Sequence, residues 1–199
     1  ELQTYKDNIH NALTFSKFEP LGQDSDTTDG LNVHGVIADE VHAWKSRDLW
    51  DVLETATGAR EQPLMLAITT AGHDRQSLCF TLHDYTEKIL ANVLSDDSFF
   101  GIIYTLDGEE KGEGGVITRP ADNWQDESVW VKANPNLGVS KKLDDLRRKA
   151  LRARNMPAQL NAFLQKELDV WTQAAERWID PLVWQACGHL PPGYESDTS

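Results

Sequence analysis

The chain has 199 residues, of which 40% are apolar and 26% charged, and its formal net charge is −13. A chain this acidic does not coat nucleic acid by bulk electrostatics, so any DNA contact must be local. Seven Trp and six Phe argue against disorder, and two Cys, at 79 and 187, rule out a disulfide scaffold and make a reducing compartment the default.

The length suits one domain, or one plus a small appendage, with a sizeable core. No stretch approaches the ~18 apolar residues of a membrane helix, and the opening ELQTYKDNIH is no signal peptide. The first apolar, β-favouring run is 13–21 (LTFSKFEPL), followed by 33–38 (VHGVIA). Leu49, Trp50, Leu53 and Ala56 then recur at helical spacing over 47–57, with Gly58 as a stop. The next strand is expected at 64–70 (LMLAITT). A helix over 75–94 follows, its stripe made of Leu78, Leu82, Tyr85, Ile89 and Val93, and then a strand at 99–106 (FFGIIYTL). Strand, helix, strand, helix, strand is the βαβ rhythm of a largely parallel sheet covered on both faces.

Past Leu106 the character changes. The segment 107–128 opens with Asp-Gly, is Gly-rich and charged, and reads as a surface loop or hairpin. A Trp-bearing segment, WVKANPNLG (130–138), leads into helical material. The helix expected at 141–154 holds seven of the nineteen basic residues; Asp144 and Asp145 interrupt it, which favours a solvated, internally paired face over a DNA contact. Pro157 opens the next helix, expected to run to about 172, and a short amphipathic piece follows at 181–187. Trp124, Trp130, Trp171, Trp178 and Trp184 read as packing anchors, and the tail 191–199 as disordered.

The sharpest chemical feature is Val36-Ile37-Ala38-Asp39-Glu40. An apolar strand ending in adjacent carboxylates is what a Walker B element needs. Ligands of parallel sheets lie beyond the carboxyl ends of the strands, where the first acid can hold Mg²⁺ through its water shell. The second can orient and deprotonate the water that attacks a γ-phosphate. Asp39 is then the metal-side acid and Glu40 the base. The bland alternative is a strand meeting a polar loop. Thr69 and Thr70 close the next strand, where small hydroxyl residues can sense the γ-phosphate or its attacking water; a strand leaving through Thr into a Gly turn is the competing reading.

His42 gives Asp39-Glu40-Val41-His42 the form of a DExH box, although a lone His there is more often a supporting or surface residue than a ligand. The six His show no metal-binding spacing with the two Cys, and no G-x-S-x-G occurs. No G-x-x-x-x-G-K-[ST] occurs either, so the phosphate-cradling loop and its Lys are missing from these 199 residues.

The strings DSDTTDGLNVHG (24–35), VIADEVHAW, AITTAGHDRQSLC and WVKANPNLG resemble the large subunit of tailed-bacteriophage terminases, in consistent order over about 15–188. The resemblance implies an α/β, parallel-sheet P-loop NTPase core with a small helical linker or lid. Residues 1–106 would be the C-terminal half of that core, without its Walker A strand, and 129–190 the linker or lid. It implies ATP and Mg²⁺ as cofactors, Asp39 and Glu40 as the Walker B pair, and Thr69 and Thr70 as the motif coupling hydrolysis to DNA movement. Implied partners are double-stranded DNA, a small terminase subunit and the portal, with a homo-oligomeric ring as the working form and the cytoplasm of the bacterial host as its location. DNA-binding residues are not assigned.

Only 38 residues precede Asp39, so the resemblance puts the phosphate loop upstream of Glu1 and a nuclease domain beyond the segment ending at Gly188. The expectation is an internal piece of the motor, inactive alone, with strand edges exposed beside the missing strand. A prophage remnant or interaction module that keeps the fold without the activity is the alternative. A DExH helicase piece would need a Q-x-x-G-R-x-G-R string, which the sequence lacks.

Overall fold

The computed structural model describes residues 2–22 and 30–173. The acidic stretch 24–29, Trp178, Trp184, the piece expected at 181–187 and residues 191–199 lie outside the described residues. The chain divides into two units, Glu1–Asp39 with Trp44–Ala67, and Glu40–Ala43 with Ile68–Ser199.

The first unit begins with three short antiparallel strands, β1 (Leu2–Thr4), β2 (Ile9–Asn11) and β3 (Ser16–Phe18), in the order β1-β2-β3. The run at 13–21 was expected to enter the parallel sheet; instead only three of its residues form a strand, and that strand belongs to this meander. Phe15 takes a left-handed φ of 53° just ahead of β3, and Pro20 removes a ladder donor just after it. Beyond the meander come β4 (Gly35–Asp39), α1 (Asp48–Ala56) and β5 (Leu64–Ile68). Leu64 N–H donates to His34 O at 3.0 Å, so the two strands start side by side. They therefore run parallel, with α1 as the crossover. Leu49 and Leu53 form the buried face of α1.

In the second unit α2 (Leu78–Leu90) starts at Ser77, whose hydroxyl accepts Phe80 N–H at 3.2 Å, as a side-chain N-cap does. It ends before the expected 94 because Asn92 adopts a left-handed φ of 57°. The run 99–106 does not form the expected strand: it has no ladder partner among the described residues. Two of its apolar side chains pack on helices instead, while Phe100, Ile102 and Tyr104 stay exposed. Phe99 meets Tyr85 of α2 edge-on at 5.0 Å, a Cβ on Gly101 would collide with the Thr86 side chain, and Leu106 joins the helical core. The segment 107–128 contains a bulged antiparallel hairpin, β6 (Glu110–Lys111) and β7 (Ile117–Arg119).

The helical part comprises α3 (Trp130–Ala133), α4 (Leu143–Asn155) and α5 (Pro157–Leu168). Trp130 is 2% exposed, and its indole N–H donates to Trp124 O at 2.7 Å, which fixes the largest side chain of the core. Leu146, Ala150 and Ala153 of α4 pack with Phe163 and Leu168 of α5 in the same cluster. Three basic side chains of α4 are paired with carboxylates: Arg147 forks onto Glu127 at 2.7–2.9 Å, Arg148 reaches Asp145, and Lys149 bridges Asp145 and Glu167. No helix of the described residues is long and apolar enough to cross a membrane.

Candidate functional site

β4 is short and β-favouring, and it stops where its two acids begin. Trp44 Nε1–H donates to Asp39 O at 3.1 Å, tying the last residue of the strand to the turn beyond it. Glu40 then turns the chain with a φ of 52°, a conformation that costs a non-glycine residue about 1 kcal/mol or more and collects at functional sites. A 3₁₀ turn over Val41–Ala43 follows, closed by Ala43 N–H to Glu40 O at 2.8 Å and anchored by the buried Val41.

This turn sits on the residues that follow β5. His42 N–H donates to Thr69 Oγ1 at 3.0 Å. The His42 ring nitrogen Nδ1 lies 3.2 Å from Thr69 Oγ1, 3.4 Å from Thr70 Oγ1 and 3.5 Å from Glu40 Oε2. The Thr69 hydroxyl donates to Thr70 O at 3.0 Å, and Cys79 Sγ stands 3.6 Å from Thr69 Oγ1. Burial pushes the Cys79 thiol above its ordinary value, with the Thr69 hydroxyl acting the other way.

Glu40, His42, Thr69 and Thr70 thus form one connected group, with the Glu40 carboxylate 61% exposed at its outer end. Asp39 is placed by β4 and Trp44, immediately before Glu40 in the chain. Sequence reasoning gave His42 no defined partner; its imidazole is the link between the acid and the two hydroxyls. Cys79 beneath Thr69, and Asp169, whose side chain accepts Ala71 N–H at 3.3 Å, carried no motif that could have flagged them.

The donor atoms gathered here are hard oxygens with one imidazole. Among the described residues no group of three or more His, Cys, Asp or Glu side chains converges as a protein-only metal cage. Mg²⁺ is held in nucleotide sites by one or two carboxylates, with water and phosphate oxygens completing the shell, and a carboxylate such as Asp39 suits that chemistry. The residues present fit the metal and water side of a nucleotide site; the phosphate-cradling loop is not among them.

Comparison with known proteins shows the family. The chain matches the model "Terminase large subunit, ATPase domain" over residues 1–88 and "Terminase large subunit, endonuclease domain" over residues 93–194. The second match begins well before the point at which the resemblance put the nuclease part, and it takes in the hairpin and α3–α5. The chain is 36% identical over 159 residues to protein YmfN of Escherichia coli (strain K12), covering 80% of this chain and 32% of that protein. It is 28% identical over 178 residues to the terminase large subunit of Enterobacteria phage HK97, covering 88% of this chain and 32% of that one. The crystal structure of the HK97 bacteriophage large terminase superimposes with a TM-score of 0.66 at 22% identity, covering 98% of this chain and 38% of that chain. The chain therefore spans about a third of the length of the curated relatives it matches.

Proposed function

Because the chain belongs to the terminase large-subunit family, we propose that its 39–42 and 69–70 segments form the metal and water side of an ATP-hydrolysing DNA-packaging motor. The observation that carries this reading is the close group Glu40–His42–Thr69–Thr70 after two adjacent parallel strands, in which Thr69 Oγ1 accepts His42 N–H and His42 Nδ1 stands 3.5 Å from Glu40 Oε2. Glu40 is the general base: its exposed carboxylate would accept a proton from the water whose oxygen bonds to the γ-phosphorus as the bond to the departing ADP oxygen breaks. Asp39 would hold Mg²⁺, which when bound would neutralise charge on the phosphate oxygens. Thr69 and Thr70 sense the γ-phosphate and pass the change to the backbone behind them, with His42 holding the hydroxyls in register with Glu40.

The P-loop half of the site, with its ATP phosphate cradle, is supplied by residues outside these 199, and this chain alone does not turn over ATP. Double-stranded DNA is the substrate that moves, the small terminase subunit and the portal are partners, and a homo-oligomeric ring in the host cytoplasm is the working form. The part containing α3–α5, with its own apolar core and internally paired charges, serves as linker or lid.

The test is Asp39→Ala in a polypeptide joining these residues to a G-x-x-x-x-G-K-[ST] loop. Nucleotide affinity is expected to lose its dependence on Mg²⁺, read by titrating the metal at fixed nucleotide. An unchanged Mg²⁺ dependence removes Asp39 from the metal side.

A further inference from the structure

α5 ends at Leu168, and Asp169 takes a left-handed φ of 53°, a turn that Asp tolerates better than most residues. Its half-buried carboxylate accepts Ala71 N–H at 3.3 Å, across 98 positions of sequence. The tie is repeated further along both strands of chain. Thr172 N–H donates to Gly72 O at 3.3 Å, and Gln165 Nε2 holds Thr172 Oγ1 at 2.5 Å. Trp171 lies over Gly72, where an added Cβ would come within 3.2 Å of Trp171 Cζ3 and 3.5 Å of His42 Cβ. The same indole stands edge-on to Phe80 of α2 at 4.9 Å. From a third side Thr105 Oγ1 donates to Asp169 O at 2.8 Å.

Ala71 and Gly72 follow Thr69 and Thr70 directly, and both are buried. They carry no side chain able to transmit force, so their backbone groups are the only handle on this stretch. A carboxylate accepting a backbone N–H is a charge-assisted bond, and partial burial strengthens it. Thr105 and Gln165 brace the α5 side of this joint, and Thr172 and Trp171 meet Gly72 by a backbone pair and ring packing; the Asp169 side chain is the polar side chain that reaches an amide of the 71–72 stretch.

We propose that Asp169 is a positioning residue that fixes the backbone carrying Thr69 and Thr70 to the C-terminal end of α5, so that a change at the threonine pair reaches the α4–α5 hairpin. What passes through the joint rests on the ATPase reading above; the joint itself does not.

Two substitutions separate the side chain from the turn. Asp169→Gly keeps the left-handed backbone without strain and removes the acceptor. Asp169→Asn keeps an oxygen acceptor of the same size. In the full chain, amide hydrogen exchange at Ala71 is expected to quicken about tenfold with Asp169→Gly and to stay near wild type with Asp169→Asn, while amides around Leu146 keep their protection. In a packaging motor carrying the same substitutions, DNA moved per ATP hydrolysed falls severalfold with Asp169→Gly and is restored by Asp169→Asn. Unaltered Ala71 protection in Asp169→Gly overturns the joint. A wild-type ratio of DNA moved to ATP hydrolysed overturns its role in transmission. ATP turnover persisting in Glu40→Gln would sink the ATPase reading while leaving the exchange result intact, so the two failures are distinguishable.

Discussion

Thr69→Val tests whether the turn after β4 is held by one hydroxyl. Valine matches threonine in shape and suits the end of a strand at least as well, so packing and propensity change little. What is lost is the acceptor for His42 N–H at 3.0 Å and the donor to Thr70 O at 3.0 Å. A backbone N–H stripped of its partner costs about 1–3 kcal/mol. Thr69 is exposed, so water reaches the vacated position and the lower part of that range applies, about 1–2 kcal/mol in all. With a urea m-value of about 2 kcal/mol/M the unfolding midpoint should fall by roughly 0.5–1 M. Tryptophan fluorescence reads the transition, and Thr69→Ser, which restores the hydroxyl, should recover most of the loss. A midpoint unmoved by valine, or a serine variant as weak as the valine one, would refute the argument.

Leu146 is fully buried between α4 and α5, and Leu146→Ala should cost about 3–4 kcal/mol in the same unfolding experiment; a loss below about 1 kcal/mol would mean that the cluster around Trp130 is not the core of this part. Asp169 gives a pH signature. Burial raises its carboxyl from an ordinary 3.8 to about 6, with Glu167 adding to the rise while Ala71 N–H and Lys141 oppose it. The folded chain therefore keeps a proton that the unfolded chain releases between those values, and this group's contribution to stability falls as pH climbs through the window. Asp169→Asn has no such proton, so the stability of wild type relative to the variant should decline from about pH 4 to about pH 6 and level off above it. A difference that is flat across the window, or rises with pH, contradicts the burial argument.

Much of the site was legible because its residues are adjacent in sequence. Asp39-Glu40 after VIA and Thr69-Thr70 after LMLAI need no long-range information, and continuous apolar runs at 33–38 and 64–70 foretold the two parallel strands. Pro157 marked the start of α5 for a local reason as well, since its missing N–H is harmless at the first helical position. The rest depended on partners. FFGIIYTL has strand composition, yet Phe99 packs on α2 and Leu106 on the helical core, and among the described residues no strand offers the run a ladder. β1 and β2 are three residues each and lie largely at the surface, below the length at which alternation can be read. Asp169 lies 98 positions from the amide it accepts, and nothing in Leu-Asp-Val-Trp announces that pairing.

The most direct measurement is ATP turnover by Glu40→Gln in a polypeptide that unites these residues with a phosphate loop, with nucleotide binding measured on the same preparation. Glutamine keeps the size and hydrogen bonding of the side chain and cannot take a proton from water. Turnover should drop to background, by about a hundredfold or more, while nucleotide still binds. Hydrolysis continuing at the unsubstituted rate would show that Glu40 is not the base.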